Sequence, residues 1–199
     1  MTTSRKQVSG SQGVSRLVAP VLRHLAEHPD TPLTEGQLCA IAEVHPRDGQ
    51  RLIERLQRAG LLVHETRDGE PVYRLAEPWE QRRRRSRPLI LLVEDHNAVA
   101  GMTEAVLTSE GYNVVLARNP VEAHAILRAV ACDVILTDSF SPTLDLAVRM
   151  LGPLLGRATG TPVVLFSAHH WSPARVQAEG FTEIITKPFE VESFLARLD

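Results

Sequence analysis

Four stretches of this chain end in side chains whose types could do chemistry together. Glu94-Asp95 follow one apolar run, Asp138 closes a second, Ser167 a third, and Lys187-Pro188 follow a fourth. Three carboxylates held close together cannot all ionise comfortably unless a hard cation sits among them, and Mg²⁺ suits oxygen ligands. Such an ion neutralises the charge that develops on a phosphoryl group in transfer, while a hydroxyl and an ammonium bind its remaining oxygens. A carboxylate attacking phosphorus gives an acyl phosphate. These are the parts of a reversible phosphoryl acceptor. Taken singly each residue is bland: a Glu-Asp pair after a strand is usually a solvated loop, and a lone Asp is often a helix cap. Lys187 says more. Of 22 basic residues only Lys6 and Lys187 are lysine, so a chain that otherwise uses arginine keeps a compact ammonium where a point charge is wanted.

The residues meet only if the apolar runs are neighbouring strands of one sheet. Leu89–Val93 is continuously apolar, as a strand buried on both faces requires. Asn113–Leu116, Val134–Thr137, Val163–Phe166 and Ile184–Ile185 supply four more short runs. Helical stretches lie between them, from Ala98 to Glu110 before Gly111, near 120–130, 144–157 and 173–179, and again after Pro188. Alternating strands and helices predict an α/β unit with a parallel sheet covered on both faces. In such sheets chemistry gathers at the carboxyl ends of the strands.

The segments LILLVEDHN, VILTDSFSP, VVLFSA and ITKPFE make residues 89–199 resemble the receiver domains of two-component response regulators, which implies a flavodoxin-like (βα)5 fold with a five-stranded parallel sheet. By that resemblance Asp138 is the phosphoacceptor. Asp95 binds Mg²⁺ directly, Glu94 binds it through a water, and the backbone carbonyl of Phe140 completes the site. Ser167 is the switch hydroxyl, and Lys187 pairs with a phosphoryl oxygen, held by a cis bond to Pro188. Pro142, four residues after Asp138, fits the family's loop. Two departures stand out: Ile184 occupies the position where the family often has an aromatic switch residue, and the helix around Ser172–Glu179 is compressed. Phe140 and His169 flank the approach of a hydrolytic water, so Phe140 is expected to slow loss of the phosphoryl group. Two enzyme readings on similar sheets fit poorly. A dinucleotide site needs a glycine-rich turn where this chain has Glu94-Asp95-His96-Asn97, and a phosphatase resembling the haloacid dehalogenases wants an Asp where Phe140 stands. The expectation is a domain that catalyses only its own phosphorylation and dephosphorylation.

The first half reads differently. Residues 1–87 carry 15 Lys+Arg against 11 Asp+Glu, and residues 88–199 carry 7 against 13, a basic half joined to an acidic one. Residues 1–12 read as a disordered tail. Val14, Val18, Val21, Leu22 and Leu25 recur at helical spacing before Pro29. Thr34 with Gln37 is a capping box, and Pro46 opens a third helix closed by Gly60. Two strand-like runs around Arg67-Asp68-Gly69-Glu70 read as a hairpin. This order resembles a winged helix-turn-helix domain over 13–76, and IAEVHPRDGQRLIERLQRAGLLVHE resembles the MarR-like group. The resemblance makes Pro46–Ala59 the recognition helix and Arg67–Glu70 the tip of the wing. Arg47, Gln50, Arg51, Arg55 and Arg58 then face the major groove of double-stranded DNA, and Arg67 reaches a phosphate or the minor groove. Residues 77–88, EPWEQRRRRSRP, read as an Arg-rich linker whose arginines add phosphate contacts.

No apolar run approaches the roughly 18 residues that span a bilayer. The N-terminus lacks the apolar core of a secretory signal. Cys39 and Cys132 lie far apart without metal spacing. The expected whole is a cytoplasmic response regulator with its effector domain first, phosphorylated by a sensor histidine kinase or phosphotransfer protein and controlling transcription. Homodimerisation is one route for that control. The alternative is a phosphorelay or signalling adaptor whose winged helix binds a protein or dimerises.

Overall fold

The computed structural model describes residues 12–188 together with residue 196. Residues 1–11 of the expected tail and the helix expected after Pro188 lie outside the described residues. Gln12, counted with the tail, begins a helix instead.

In the N-terminal module, α1 (Gln12–Glu27) precedes β1 (Leu33–Thr34), α2 (Glu35–Ile41) and α3 (Pro46–Arg58). Val18, Val21, Leu22 and Leu25 of α1 are buried against Leu38, Leu52, Ile53 and Leu56. The Thr34–Gln37 capping box forms as expected. Helix α3 starts at Pro46 with His45 as its cap: the imidazole Nδ1 accepts from the Arg47 N–H. Gly49 has a steric reason, because a Cβ there would fall 2.1 Å from Cys39 Sγ. The glycine lets α2 and α3 cross closely, as the helix-turn-helix needs. Strands β2 (Leu62–Arg67) and β3 (Glu70–Leu75) form the hairpin, with Asp68 and Gly69 both at positive φ, 53° and 83°. That is the backbone a tight two-residue turn demands. Strand β1, too short to show periodicity, completes a β1-β3-β2 sheet.

The stretch read as a linker is more ordered than its composition suggests. Pro78–Arg84 form a helix, α4, and the fully buried Gln81 lies between the two halves. Its Nε2 donates to the Ala76 carbonyl at 2.8 Å and to the Ala129 carbonyl at 2.6 Å, while its Oε1 accepts from the Ala131 N–H at 2.8 Å. Arg85 pairs with Asp133 at 2.7 Å, and Asp133 also accepts the Leu89 N–H. Sequence periodicity missed this helix because it faces the two modules with polar atoms rather than an apolar stripe.

Beyond it β4 (Leu89–Val93), α5 (Asn97–Ser109), β5 (Asn113–Ala117), α6 (Pro120–Ile126), β6 (Val134–Asp138), α7 (Leu144–Arg157), β7 (Val163–Ser167), α8 (Pro173–Ala178) and β8 (Glu183–Thr186) follow the expected alternation. The sheet is parallel, ordered β5-β4-β6-β7-β8. Alternate residues serve opposite faces. Ile90, Leu92, Leu136, Val164 and Phe166 pack with Ala100 and Leu107 of α5. Leu89, Leu91, Val93, Ile135 and Leu165 pack on the other face with Ile126, Leu151 and Leu154, and this layer runs on into the core of the N-terminal module. Strand β5 is an edge strand. Helix α1 runs close beside it, and Arg55 Nη2 from α3 donates to the Val114 carbonyl at 2.7 Å.

Candidate functional site

Strands β4, β6, β7 and β8 are consecutive neighbours, and their registers (Val93 level with Thr137, Asp138 with Phe166, Ser167 with Thr186) bring their ends to one rim. Lys187 Nζ sits at that rim 2.6 Å from Asp138 Oδ1 and 2.6 Å from Glu94 Oε2. Glu94 is only 2% exposed. Its other oxygen accepts the His96 N–H at 3.0 Å. The ammonium also lies 4.3 Å from the centroid of the Phe166 ring. One ammonium thus faces two carboxylates at the rim.

Asp138 Oδ2 accepts the Phe140 N–H at 2.6 Å, a turn closed by the carboxylate itself. Phe140 is held at φ 53°, which costs a residue with a Cβ on the order of 1–3 kcal/mol and is the kind of strain found at functional sites. The Lys187-Pro188 bond is cis, as the family resemblance implied. Ser167 is fully buried: its hydroxyl donates to Ser139 Oγ at 3.2 Å and accepts the His169 N–H at 3.1 Å. The rings of His169 and Trp171 stack beside it.

The fold therefore brings Glu94, Asp138, Ser167 and Lys187 to one rim. Asp95 follows Glu94 directly and is exposed. Oxygen donors of the type Mg²⁺ prefer are present at Glu94, Asp95, Asp138 and the Phe140 carbonyl. Among the described residues, however, no three His, Cys, Asp or Glu side chains form a ready-made metal cage; Lys187 holds the charge balance. Sequence reasoning missed Ser139 and Phe166. Their signals were a small hydroxyl directly after Asp138 and an aromatic ring directly before Ser167.

The family described as response regulator receiver domain matches residues 90–199, more than half of the chain. The chain belongs to that family. The MarR family matches residues 12–70, ahead of the receiver. The transcriptional regulatory protein KdpE of Staphylococcus aureus is 32% identical over 111 residues, 55% of this chain and 47% of that protein. KdpE of Mycobacterium tuberculosis is 36% identical over 115 residues, 55% of this chain and 49% of that protein. The chain spans about half the length of these curated relatives. A response regulator from Thermotoga maritima superposes with a TM-score of 0.50 at 23% identity, over 56% of this chain and 94% of that one. NtrX from Brucella abortus superposes with a TM-score of 0.50 at 21% identity, over 56% and 25%. These two likenesses show the receiver fold alone.

The residues expected to meet DNA divide into two sets. Arg47, Gln50, Arg51 and Arg58 are exposed on α3, and Arg67 is exposed at the wing. Arg55 is not on a free outer face: it is half-buried and paired with the buried Glu104 of α5 as well as with Val114. The reason is tertiary. Helix α3 lies against the receiver, a neighbour that helical spacing alone does not reveal. The wing is tied to α4 through Arg74, which bonds Glu65 at 2.6 Å and Glu80 at 3.0 Å. Those bonds hold the Glu80 carboxyl down at about 2 and lower that of Glu65. Burial pushes the Cys132 thiol up to about 12, and that of Cys39 up in the same direction, so neither is a ready nucleophile.

Proposed function

We propose that the chain is a two-component transcription regulator: Asp138 takes a phosphoryl group from a sensor histidine kinase or phosphotransfer protein, and its state controls binding of the N-terminal winged helix to double-stranded DNA. The observation that carries the first half is Lys187 within 2.6 Å of both Asp138 and Glu94. A carboxylate oxygen of Asp138 attacks phosphorus, the bond to the donor's leaving group breaks, and an acyl phosphate forms. Lys187 then exchanges its bond to Asp138 for one to a phosphoryl oxygen, and Ser167 leaves Ser139 to donate to another. Mg²⁺, which Asp95, Asp138 and the Phe140 carbonyl would hold with Glu94 behind a water, supplies charge neutralisation during transfer.

Control passes through the contact of α3 with the receiver. While Arg55 is bonded to Glu104 and Val114 it is unavailable to a base edge. A rearrangement on the receiver side frees it. The same contact favours a second reading, a phosphorelay or signalling adaptor in which the winged helix is a protein-docking module. DNA selection from a random library, with and without beryllofluoride and Mg²⁺, separates the two. An enriched motif whose affinity changes with the mimic in wild type but not in Asp138→Asn supports transcription control. No enrichment from folded protein in either state moves the assignment to the adaptor.

A further inference from the structure

Between the recognition helix and the receiver lies a cleft of about 720 Å³, within the size range of small-molecule sites. Arg51, Arg55 and Arg58 of α3 line one wall, with Asp48 and Glu54. Arg84 and Arg87 line the other, beside the turn from Gly111 to Val114. Five guanidinium groups therefore face two carboxylates. Some of this charge is neutralised elsewhere: Arg55 pairs with Glu104, and Arg84 reaches Glu80 at 3.5 Å. Glu54 accepts from the neutral Gln50 Nε2 at 3.3 Å, so its charge stays in the cleft. Among the described residues Arg51, Arg58 and Arg87 form no ion pair.

Arg87 is also held in place. Its carbonyl accepts from Asn113 Nδ2 at 3.0 Å, and its guanidinium lies over Gly111, where a Cβ would come within 3.2 Å of it. Gly111 closes α5 at φ 89°, so the residue that permits the helix end also leaves room for the arginine. The choice of arginine over lysine carries no information in a chain with 20 arginines and 2 lysines. The excess of cations does. Arg51, Arg58 and Arg87 bring three guanidinium groups without an ion pair to one solvent-facing cleft whose own carboxylates are Asp48 and Glu54, so cations still exceed anions there. The guanidinium fork matches phosphate geometry, and several phosphate groups on one molecule offer each of these three arginines a partner at once.

We propose that this cleft binds a small polyphosphorylated ligand, gripped by Arg51 and Arg58 on the winged helix and Arg87 on the receiver side. Such a ligand bridges the two modules and holds Arg51 and Arg58 away from a groove, so it opposes DNA binding; that consequence rests on the DNA reading above, whereas the site itself does not. Calorimetric titration of the full chain with inorganic tripolyphosphate and with ATP, in buffer containing EDTA, tests it. The expected result is saturable binding at one site. Affinity should fall at least tenfold in Arg51→Gln and in Arg87→Gln, and should hold in Arg83→Gln, an exposed arginine of α4 outside the cleft. Tighter binding of ATP than of tripolyphosphate assigns part of the affinity to the nucleoside, and equal binding assigns all of it to the phosphates. Absence of saturable binding overturns the proposal, as does an equal loss in Arg83→Gln or equal affinity for citrate. Because Arg87 lies off the recognition helix, a failed DNA selection beside intact tripolyphosphate binding sinks the DNA reading alone.

Discussion

The receiver rim and the cleft beside α3 solve opposite charge problems. At the rim one ammonium offsets two carboxylates, all three on strand ends fixed by backbone pairing. In the cleft guanidinium groups outnumber carboxylates and sit on long side chains from α3, from the end of α4 and from Arg87 after it. The first arrangement is closed by the protein itself; the second is left open to something from outside. Groups that do chemistry on a bound phosphoryl must be positioned before it arrives. Groups that grip a large anion can wait.

The largest test of that contrast is at the rim. Lys187→Met leaves Glu94 buried and, with Asp138, without its cation, and removing one partner of a buried pair costs about 3 kcal/mol. Urea denaturation should show this loss, with Mg²⁺ restoring part of it. A loss below about 1 kcal/mol would mean that the rim is as well solvated as the cleft. Next comes the joint between the modules. Gln81→Ala strands the Ala76 and Ala129 carbonyls and the Ala131 N–H, at about 2 kcal/mol for the buried groups together. Unchanged stability would mean that water replaces the amide and the two halves are loosely joined.

A smaller effect is expected where Arg55 leaves the cleft's cationic wall for Glu104. A double-mutant cycle of Arg55→Ala and Glu104→Ala should give a coupling of about 1–2 kcal/mol by denaturation, and zero coupling would return Arg55 to the residues proposed to meet DNA. The smallest effect is the acid response of the wing. Glu80, held at about 2 against an ordinary 4.5 by Arg74, contributes stability that is full above pH 4.5 and is lost as pH falls toward 2. For this partly solvated pair that is about 1 kcal/mol. Glu80→Gln should flatten the stability profile between pH 5 and 2, and an unchanged slope would remove the pair from the account.

The rim was legible in the sequence because a parallel sheet converts position in the chain into position in space. Once Leu89–Val93 and its four companions were strands, Glu94, Asp138, Ser167 and Lys187 had to share an edge. The hairpin was legible for a similar reason, since Asp68-Gly69 tolerates the positive φ that the turn requires. Contacts between the modules were not. Nothing in the spacing of α3 sets Arg55 apart from Arg51; only the receiver packed against it does. Gln81 looked like one polar residue in a charged run, and its three hydrogen bonds exist only when both halves are folded. The linkage of Ser139 to Ser167 was hidden for the same reason, being a contact across strands between two unremarkable hydroxyls.

Strand β5 has a further consequence. An unpaired sheet edge is a template for other chains, and here α1 and Arg55 lie against it. These covering parts precede the sheet in the chain, and N-terminal units generally fold first during synthesis. The winged helix is thus in place while the ribosome is still delivering the strands, and the edge is capped as it forms. A receiver released on its own, by proteolysis between Ala76 and Leu89, would lose that cover and gain a route to self-association that the intact chain lacks.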